Sequence, residues 1–275
     1  MKARKLLAVV AALGASAAIS LSAFAESAAK GTVYFAAVKS TIGQGVCVEP
    51  VKVPFYEGEG GIDVVKRAAE VTVQESEYGD YITAFKDEDN GAEIPSEIKA
   101  VYTDMTGRNT EGMLSALDYT PESGWSYFLN GEYAQVGISD YTPADGDVLE
   151  YRFTVYGYGS DLGQDNSSWG GAAALVPSVN ANELIKAAAE ADKTLPEYKS
   201  AVEVLGKFGA SQSELDAAAK ALTDAANSSP ASDSSEQTSA PDTTNNVDTG
   251  VEGIAATFGA AALALGVIAV SRKRS

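Results

Sequence analysis

Residues 125–153 read WSYFLNGEYAQVGISDYTPADGDVLEYRF. The stretch opens in alternation, with Trp125, Tyr127 and Leu129 on one face and Ser126 and Phe128 on the other, which is the period of a strand. Asn130-Gly131 follows. Both residues tolerate positive φ, and the pair is the strongest short-range signal for a type I′ hairpin. The chain resumes as a strand and turns again at Pro143-Ala144-Asp145-Gly146-Asp147. It leaves with Val148, Glu150 and Arg152 opposite Leu149, Tyr151 and Phe153. Three short strands and two glycine turns are predicted, and the rest of the chain is read outward from them.

Upstream, residues 31–56 read as two more strands. Thr32, Tyr34, Ala36 and Val38 alternate with Val33, Phe35, Ala37 and Lys39, and Gly43-Gln44-Gly45 turns the chain. Val46, Val48, Val51 and Val53 continue in β-branched residues, with Pro50 and Pro54 marking an edge or strand ends. After a glycine-rich turn, Ile62, Val65, Ala68 and Ala69 recur at helical spacing, with Asp63 near the N-terminus. Residues 71–124 are expected to be a mixed, loop-rich insertion. Tyr81, Ile82 and Phe85 suggest a short strand there. Pro95 starts one helical turn, and residues 110–117 form another with Met113, Leu114 and Leu117 inward.

Downstream, residues 158–180 form a Gly/Ser loop. Its Asp161, Asp165 and Asn166 offer oxygens to a Ca²⁺ ion, but their spacing does not match an EF-hand, and a solvated loop closing the domain is the favoured reading. From Ala181 the period becomes 3.6. Leu184, Ile185, Ala188 and Ala191 form one face, and Tyr198, Val202 and Leu205 the next after Pro196. Ser211-Gln212-Ser213-Glu214 then fits a capping box before Leu215, Ala218, Ala219 and Leu222. Residues 181–227 are therefore expected to be a small helical hairpin or bundle, a stalk of limited independent stability. Residues 228–245 are Ser, Thr, Asp, Pro and Asn with almost nothing to bury, the composition of a disordered linker.

The ends of the chain carry addresses. Lys2, Arg4 and Lys5 precede the apolar run 6–19, and Ala23-Phe24-Ala25 is a small-x-small cleavage site, so residues 1–25 read as a secretory signal peptide. Residues 254–270 are apolar and precede Arg272-Lys273-Arg274, as a short transmembrane helix with a cytoplasmic basic tail does. Before it stands Asn246-Val247-Asp248-Thr249-Gly250. This order resembles the cell-wall sorting signal of Gram-positive surface proteins, in which a sortase cuts between Thr and Gly and joins the Thr carboxyl to peptidoglycan. The common form of that signal begins Leu-Pro, whereas this chain has Asn-Val. The implied location is the cell wall, facing the exterior, with the membrane engaged through the C-terminal helix before sorting.

Composition excludes several classes. The net charge is −18 at pH 7, and the basic residues at the two ends lie outside the mature portion, which is more acidic still. Such a surface repels nucleic acid. The chain has no histidine, which removes Ser-His-Asp and Cys-His catalysis, His-ligated zinc and an imidazole ligand to a cobalt or haem iron. Cys47 is the single cysteine, so no internal disulfide forms; pairing between chains or reactivity competes with its reading as a small buried hydrophobe.

Gly124-Trp125-Ser126-Tyr127-Phe128-Leu129-Asn130-Gly131, followed by Val136-Gly137-Ile138-Ser139-Asp140-Tyr141, Pro143, Asp145-Gly146-Asp147, Val148 and Glu150-Tyr151-Arg152, is similar to the signature of the transcobalamin-like C-terminal domain of bacterial surface proteins. Val51-Lys52-Val53, Glu57-Gly58-Glu59 and Val64-Val65-Lys66 fit its first half, so the resemblance covers residues 31–157. It implies an α+β class: a compact β-grasp-like head, with a mixed or antiparallel sheet and one packed helix. In the vertebrate cobalamin carriers of that family, this domain covers one face of a corrinoid. Carried over by position, the ligand-binding residues implied are Trp125, Tyr127, Leu129, Gln135 and Tyr141. Those carriers close the site with a helical barrel of several hundred residues that this chain has no room for. Leu184-Ile185, Tyr198 and Ser211-Gln212-Ser213-Glu214-Leu215-Asp216, with Ala218, Leu222 and Ala225, resemble one shortened copy of the FIVAR-type helical repeat, a spacer or contact module.

Read from the strand period alone, each of these aromatics is a core residue first, since aromatics carry most of a small domain's buried area. Hairpin geometry alone accounts for Gln135 and Asn130-Gly131. The expected function is a non-catalytic surface protein without a cofactor, whose partners are sortase, peptidoglycan, and an extracellular protein, glycan or corrinoid. A corrinoid-binding component of an uptake complex is the alternative. An exported hydrolase is a second one; its nearest carboxylate pair, Asp145 and Asp147, sits on adjacent turn positions, not opposed across the roughly 5–9.5 Å that glycosidases use.

Overall fold

A computed structural model describes residues 28–228, with the exception of Tyr78 and Gln135. The signal peptide with Ala23 and Ala25, the linker beyond Ser228, the sorting residues Asn246, Val247, Asp248, Thr249 and Gly250, and the apolar segment 254–270 lie outside the described residues. Among those described, no helix is long and apolar enough to cross a membrane.

Strand β1 (Gly31–Val38) pairs antiparallel with β2 (Val46–Phe55). The turn between them needs Gly43, whose φ is 68°. A Cβ there would lie 2.3 Å from the Glu93 carbonyl oxygen. Helix α1 (Gly61–Ala68) follows, started by the Asp63 carboxylate, which accepts the Gly60 N–H at 2.9 Å. After the region 71–124 come β6 (Gly124–Leu129), β7 (Glu132–Tyr133) and β8 (Val148–Thr154). The five-stranded sheet runs β2-β1-β8-β6-β7. First and last strands are parallel neighbours at its centre, with Phe35 opposite Leu149 and Ala37 opposite Tyr151. A hairpin flanks them on each side. Helix α1 packs against one face of this mixed sheet. The edge position of β2 explains how it tolerates Pro50 and Pro54. At the β6–β7 turn, Asn130 and Gly131 have φ of 52° and 84°, the pair of positive values that a type I′ turn requires.

Residues 71–124 are more ordered than the expected insertion. Strands β3 (Val71–Gln74), β4 (Tyr81–Lys86) and β5 (Met113–Ser115) form a second, three-stranded sheet, and α2 (Ser96–Lys99) lies between β4 and β5. The helical turn expected at 110–117 is a correction. Met113 pairs with Lys86 and Leu114 with Phe85 as strand residues, while Leu117 turns outward with 61% exposure and φ of 67°. Three apolar residues in eight suit either period, and pairing with β4 decides between them. The second sheet is tied to the end of β1 by a buried cluster. Lys39 Nζ donates to Asp87 Oδ1 at 2.5 Å, and Arg108 holds the other Asp87 oxygen while also donating to Tyr119 and Gln44. Cys47 is free and half-buried, and burial pushes its thiol up to about 12. A thiol held protonated in this way is a weak nucleophile at physiological pH.

Helices α3 (Asn182–Glu190), α4 (Pro196–Leu205) and α5 (Gln212–Ser228) have the faces read from the sequence. The capping box is present: Ser211 N–H donates to Glu214 Oε2 at 2.8 Å, and Glu214 N–H donates back to Ser211 Oγ. The stalk expected for 181–227 is instead a layer of the head. Ala36, Val38 and Val148 from the sheet share one core with Leu184, Ile185, Ala188, Tyr198, Leu205, Leu215 and Leu222. Short helices bury too little on one another to stand alone, and the apolar second face of β1 needs a cover. At the rim, Lys52 and the Tyr34 hydroxyl both donate to Glu190, and Lys193 donates to Glu49. The expected single packed helix is thus one of several, and the sheet is covered on both faces.

One consequence is that every residue of β8 is buried. Glu150 and Arg152 lie under the helical layer in a bidentate pair at 2.8 and 2.7 Å, with the guanidinium over the Phe128 ring. The loop 158–180 is built on Asp161. Its buried carboxylate accepts the Thr154 hydroxyl and the N–H groups of Val155 and Tyr156. Asp161 is therefore spent on the backbone, and Asp165 caps Ser167 in solvent. Among the described residues no group of three or more acids or cysteines is placed to hold a metal ion.

Candidate functional site

The face of the five-stranded sheet opposite the three helices carries Phe35, Leu149, Tyr151 and, from β6, Trp125 and Tyr127. Helix α1 and the second sheet close over it with Ile82 and Phe85. The closure is incomplete at one end. A cavity of about 240 Å³ lies there, floored by Trp125 and Tyr127 of β6 and Tyr151 of β8. Tyr81 and Ile82 of β4 form one wall, and Tyr133 with the segment 136–138 forms the other. Its mouth is flanked by Tyr81 and Val136, 43% and 54% exposed.

Local chemistry fixes each ring. Trp125 donates its indole N–H to the Leu114 carbonyl at 2.9 Å and packs against Phe85 and Phe153, with centroids at 4.5 and 5.2 Å. Tyr127 donates its hydroxyl to the Val136 carbonyl at 2.5 Å, pinning the far wall to the floor, and stacks on Tyr151 at 5.7 Å. Tyr151 is 2% exposed and also touches Phe35 and Phe85. Its hydroxyl is buried without a hydrogen-bond partner. Burial pushes the Tyr127 and Tyr151 hydroxyls up from their ordinary values, Tyr151 the further, so both stay neutral at physiological pH.

Of the residues expected to bind ligand, the structure brings two together in this cavity: Trp125 and Tyr127. Leu129 packs at the periphery of the core on the same face, away from the cavity lining. Tyr141 lies outside the cavity lining. It is buried against α1, and its hydroxyl donates to Asp147 Oδ2 at 2.8 Å. Gly61 has no side chain because one would meet the Tyr141 ring and Ile138 at 2.7 Å. Tyr141 is thus a structural lock joining the helix start to the turn before β8. Gln135 lies outside the described residues.

The sequence reading missed Tyr151, Tyr133, Tyr81 and Ile82. Tyr151 carried one readable signal: a hydroxyl between Leu149 and Phe153, on a strand face that both neighbours mark as apolar. Tyr81 and Ile82 had none, because their position opposite β6 depends on the packing of the second sheet.

Residues 106–154 match a protein family described as a domain of unknown function, DUF4430. That match takes in β5 through β8, hence the cavity floor, and is consistent with a transcobalamin-like domain. Among solved structures the chain is similar to haptocorrin in complex with Cbi, at 17% identity and a TM-score of 0.31. The alignment covers 46% of this chain and 25% of that one, so it spans a quarter of the haptocorrin chain. No curated protein matches the chain.

Proposed function

We propose that this chain is an exported, non-catalytic binding protein, anchored to the cell wall through Thr249 by a sortase, whose head captures a ligand in the aromatic cavity between its two sheets. The observation that carries the binding reading is the open cavity of about 240 Å³ itself, floored by Trp125, Tyr127 and Tyr151. The described lining contains no Asp, Glu, Lys, Arg or Cys, and its tyrosines are held neutral. That leaves no general base and no activated nucleophile, which favours binding over an exported hydrolase.

A corrinoid is the ligand class that the transcobalamin-like resemblance implies. A corrin ring with its side chains is too large for about 240 Å³, since even drug-sized ligands take roughly 300–1,000 Å³. It would have to lie across the mouth, over Tyr81 and Val136, and a corrinoid-uptake role would need a partner to close the other face.

A ligand-observed NMR screen tests the binding reading, using the wild-type exported chain and an Ala134→Trp variant that plugs the cavity. The set comprises small cyclic molecules, wall-derived saccharides, cobalamin and cobinamide. At least one compound should bind the wild type and be lost from the variant; if no compound separates the two proteins, the reading is wrong. Anchoring is tested by Thr249→Ala, which should move the protein out of the covalently wall-bound fraction.

A further inference from the structure

We propose that a second binding surface, built on Tyr158 and Trp169, docks an extended arginine-bearing segment of another protein. Neither residue lines the cavity, and this surface does not depend on that site. Among the described residues, Trp169 and Tyr158 are the most exposed large apolar side chains, at 90% and 70%. A ring left in water contributes little to folding, yet the backbone that carries these two is fixed. Tyr158 has φ of 51° between Gly157 and Gly159 at 61° and 100°, a conformation that a tyrosine rarely adopts. Gly157 donates its N–H to Glu122 Oε2 and accepts the Asn166 side-chain amide at its carbonyl, both at 2.8 Å. Gly159 donates to Thr154 Oγ1 at 3.1 Å. The Asn166 carbonyl in turn accepts the N–H groups of Trp169 and Gly171, each at 3.0 Å. Asn166 thus holds both turns and sets the two rings on one ordered loop. Rings presented in advance lose little freedom on contact, and tryptophan and tyrosine are the side chains that most often carry interface energy.

Area and charge select the partner. At about 150–250 Å² for an aromatic side chain, the two rings offer roughly 250–400 Å². A stable dimer takes about 800 Å² from each partner, so the patch is too small to hold two copies of this chain together. Charge decides among smaller occupants. From Asn109 to Ile185 the only basic residue is Arg152, which is buried against Glu150. Glu111, Glu132, Asp140, Asp145 and Asp165 are exposed over the same span. Outside it, Lys99 is flanked in sequence by the exposed Glu97 and Asp104, and Lys207 is paired with Glu214. Such a surface repels an anionic polymer or headgroup. A neutral saccharide would use the rings and leave the carboxylates unmatched. A guanidinium uses both, since it stacks on aromatic faces and pairs with carboxylates.

The test titrates the exported chain with four probes: an octapeptide alternating glycine and arginine, its glycine–glutamate counterpart, chitohexaose, and phosphatidylcholine vesicles. The comparison protein is Tyr158→Asn/Trp169→Ser, which keeps the net charge and the cavity lining and places at 158 a residue that tolerates positive φ. The wild type should bind the arginine peptide about five- to thirtyfold more tightly than the variant, the range of two exposed cation–π contacts. It should bind the other three probes no more tightly than the variant does. Equal affinity of the two proteins for the arginine peptide reduces the attraction to net charge and overturns the inference, as does no binding at all. Tighter binding of chitohexaose or vesicles than of the arginine peptide also overturns it, and assigns the rings to a glycan or a membrane. Should the double variant lose its fold by circular dichroism, Trp169→Ser alone carries the comparison, with an expected loss of about two- to fivefold.

Discussion

Tyr151→Phe should stabilise the ligand-free protein, the reverse of what a change at a fully buried core position ordinarily does. The Tyr151 ring contacts Phe35, Phe85 and Tyr127 at 6.2, 5.1 and 5.7 Å, and all three contacts survive the substitution. What is lost is one oxygen, buried and without a partner. Removing an unsatisfied buried hydroxyl recovers about 1–3 kcal/mol of desolvation, less a few tenths for the small space it leaves. A net gain of about 1–2 kcal/mol corresponds, for a folded unit of this size, to roughly 2–8 °C in Tm. Urea unfolding followed by far-UV circular dichroism measures it, provided the slope is unchanged between variants. Tyr127→Phe is the matched control. It removes a hydroxyl that donates to Val136 at 2.5 Å and should cost about 0.5–1.5 kcal/mol. The opposite signs are the test. If Tyr151→Phe destabilises as much as Tyr127→Phe, the Tyr151 hydroxyl is satisfied in solution, and the reasoning from its unpartnered burial is refuted.

Three further outcomes follow from other parts of the molecule. Burial pushes Asp161 up to about 6 from its ordinary 3.8, against the lowering pull of its three hydrogen-bond donors. Because its folded value is the raised one, its stabilising contribution is complete below about pH 4 and is lost as pH rises through about 6. Asp161→Asn should flatten that slope in urea midpoints measured between pH 4 and 7, and an unchanged slope would assign the titration to another group. At the buried pair, Glu150→Gln should cost about 3–5 kcal/mol by stranding the Arg152 charge. The double variant Glu150→Leu/Arg152→Met should be less damaged than either single change, and an additive double-mutant cycle would show that the two charges do not depend on each other. Gly61→Ala places a Cβ 2.7 Å from Ile138 and Tyr141, so it should cost about 1–3 kcal/mol. It should also weaken ligand binding, since Ile138 lines the cavity; wild-type affinity in this variant would separate the 138–141 segment from the site.

Much of the architecture was legible before any coordinates. Asn130-Gly131 specified its own hairpin, because positive φ at two successive residues is a local property of those side chains. Ser211 and Glu214 specified their cap, and the apolar faces of α3, α4 and α5 followed from helical spacing. The alternation of β1 and β8 placed Phe35 and Tyr151 on their strands, whereas the order in which the strands pair came only from the structure. Each of these signals is carried within a few residues of where it acts.

What lies opposite a given face is a different matter, and only the tertiary structure decided it. Alternation on β8 set Glu150 and Arg152 opposite Leu149, Tyr151 and Phe153 without saying what covers them; the helical layer makes them a buried pair. Met113 and Leu114 became strand residues only because β4 lies beside them. The cavity joins residues 81–82, 125–127, 133–134, 136–138 and 151, brought together by the docking of two sheets. Whether the Tyr151 hydroxyl finds a partner depends on every neighbour at once. Periodicity and turn chemistry are local and survive in the sequence, whereas burial and hydrogen-bond satisfaction are properties of pairs distant along the chain and exist only once it has folded.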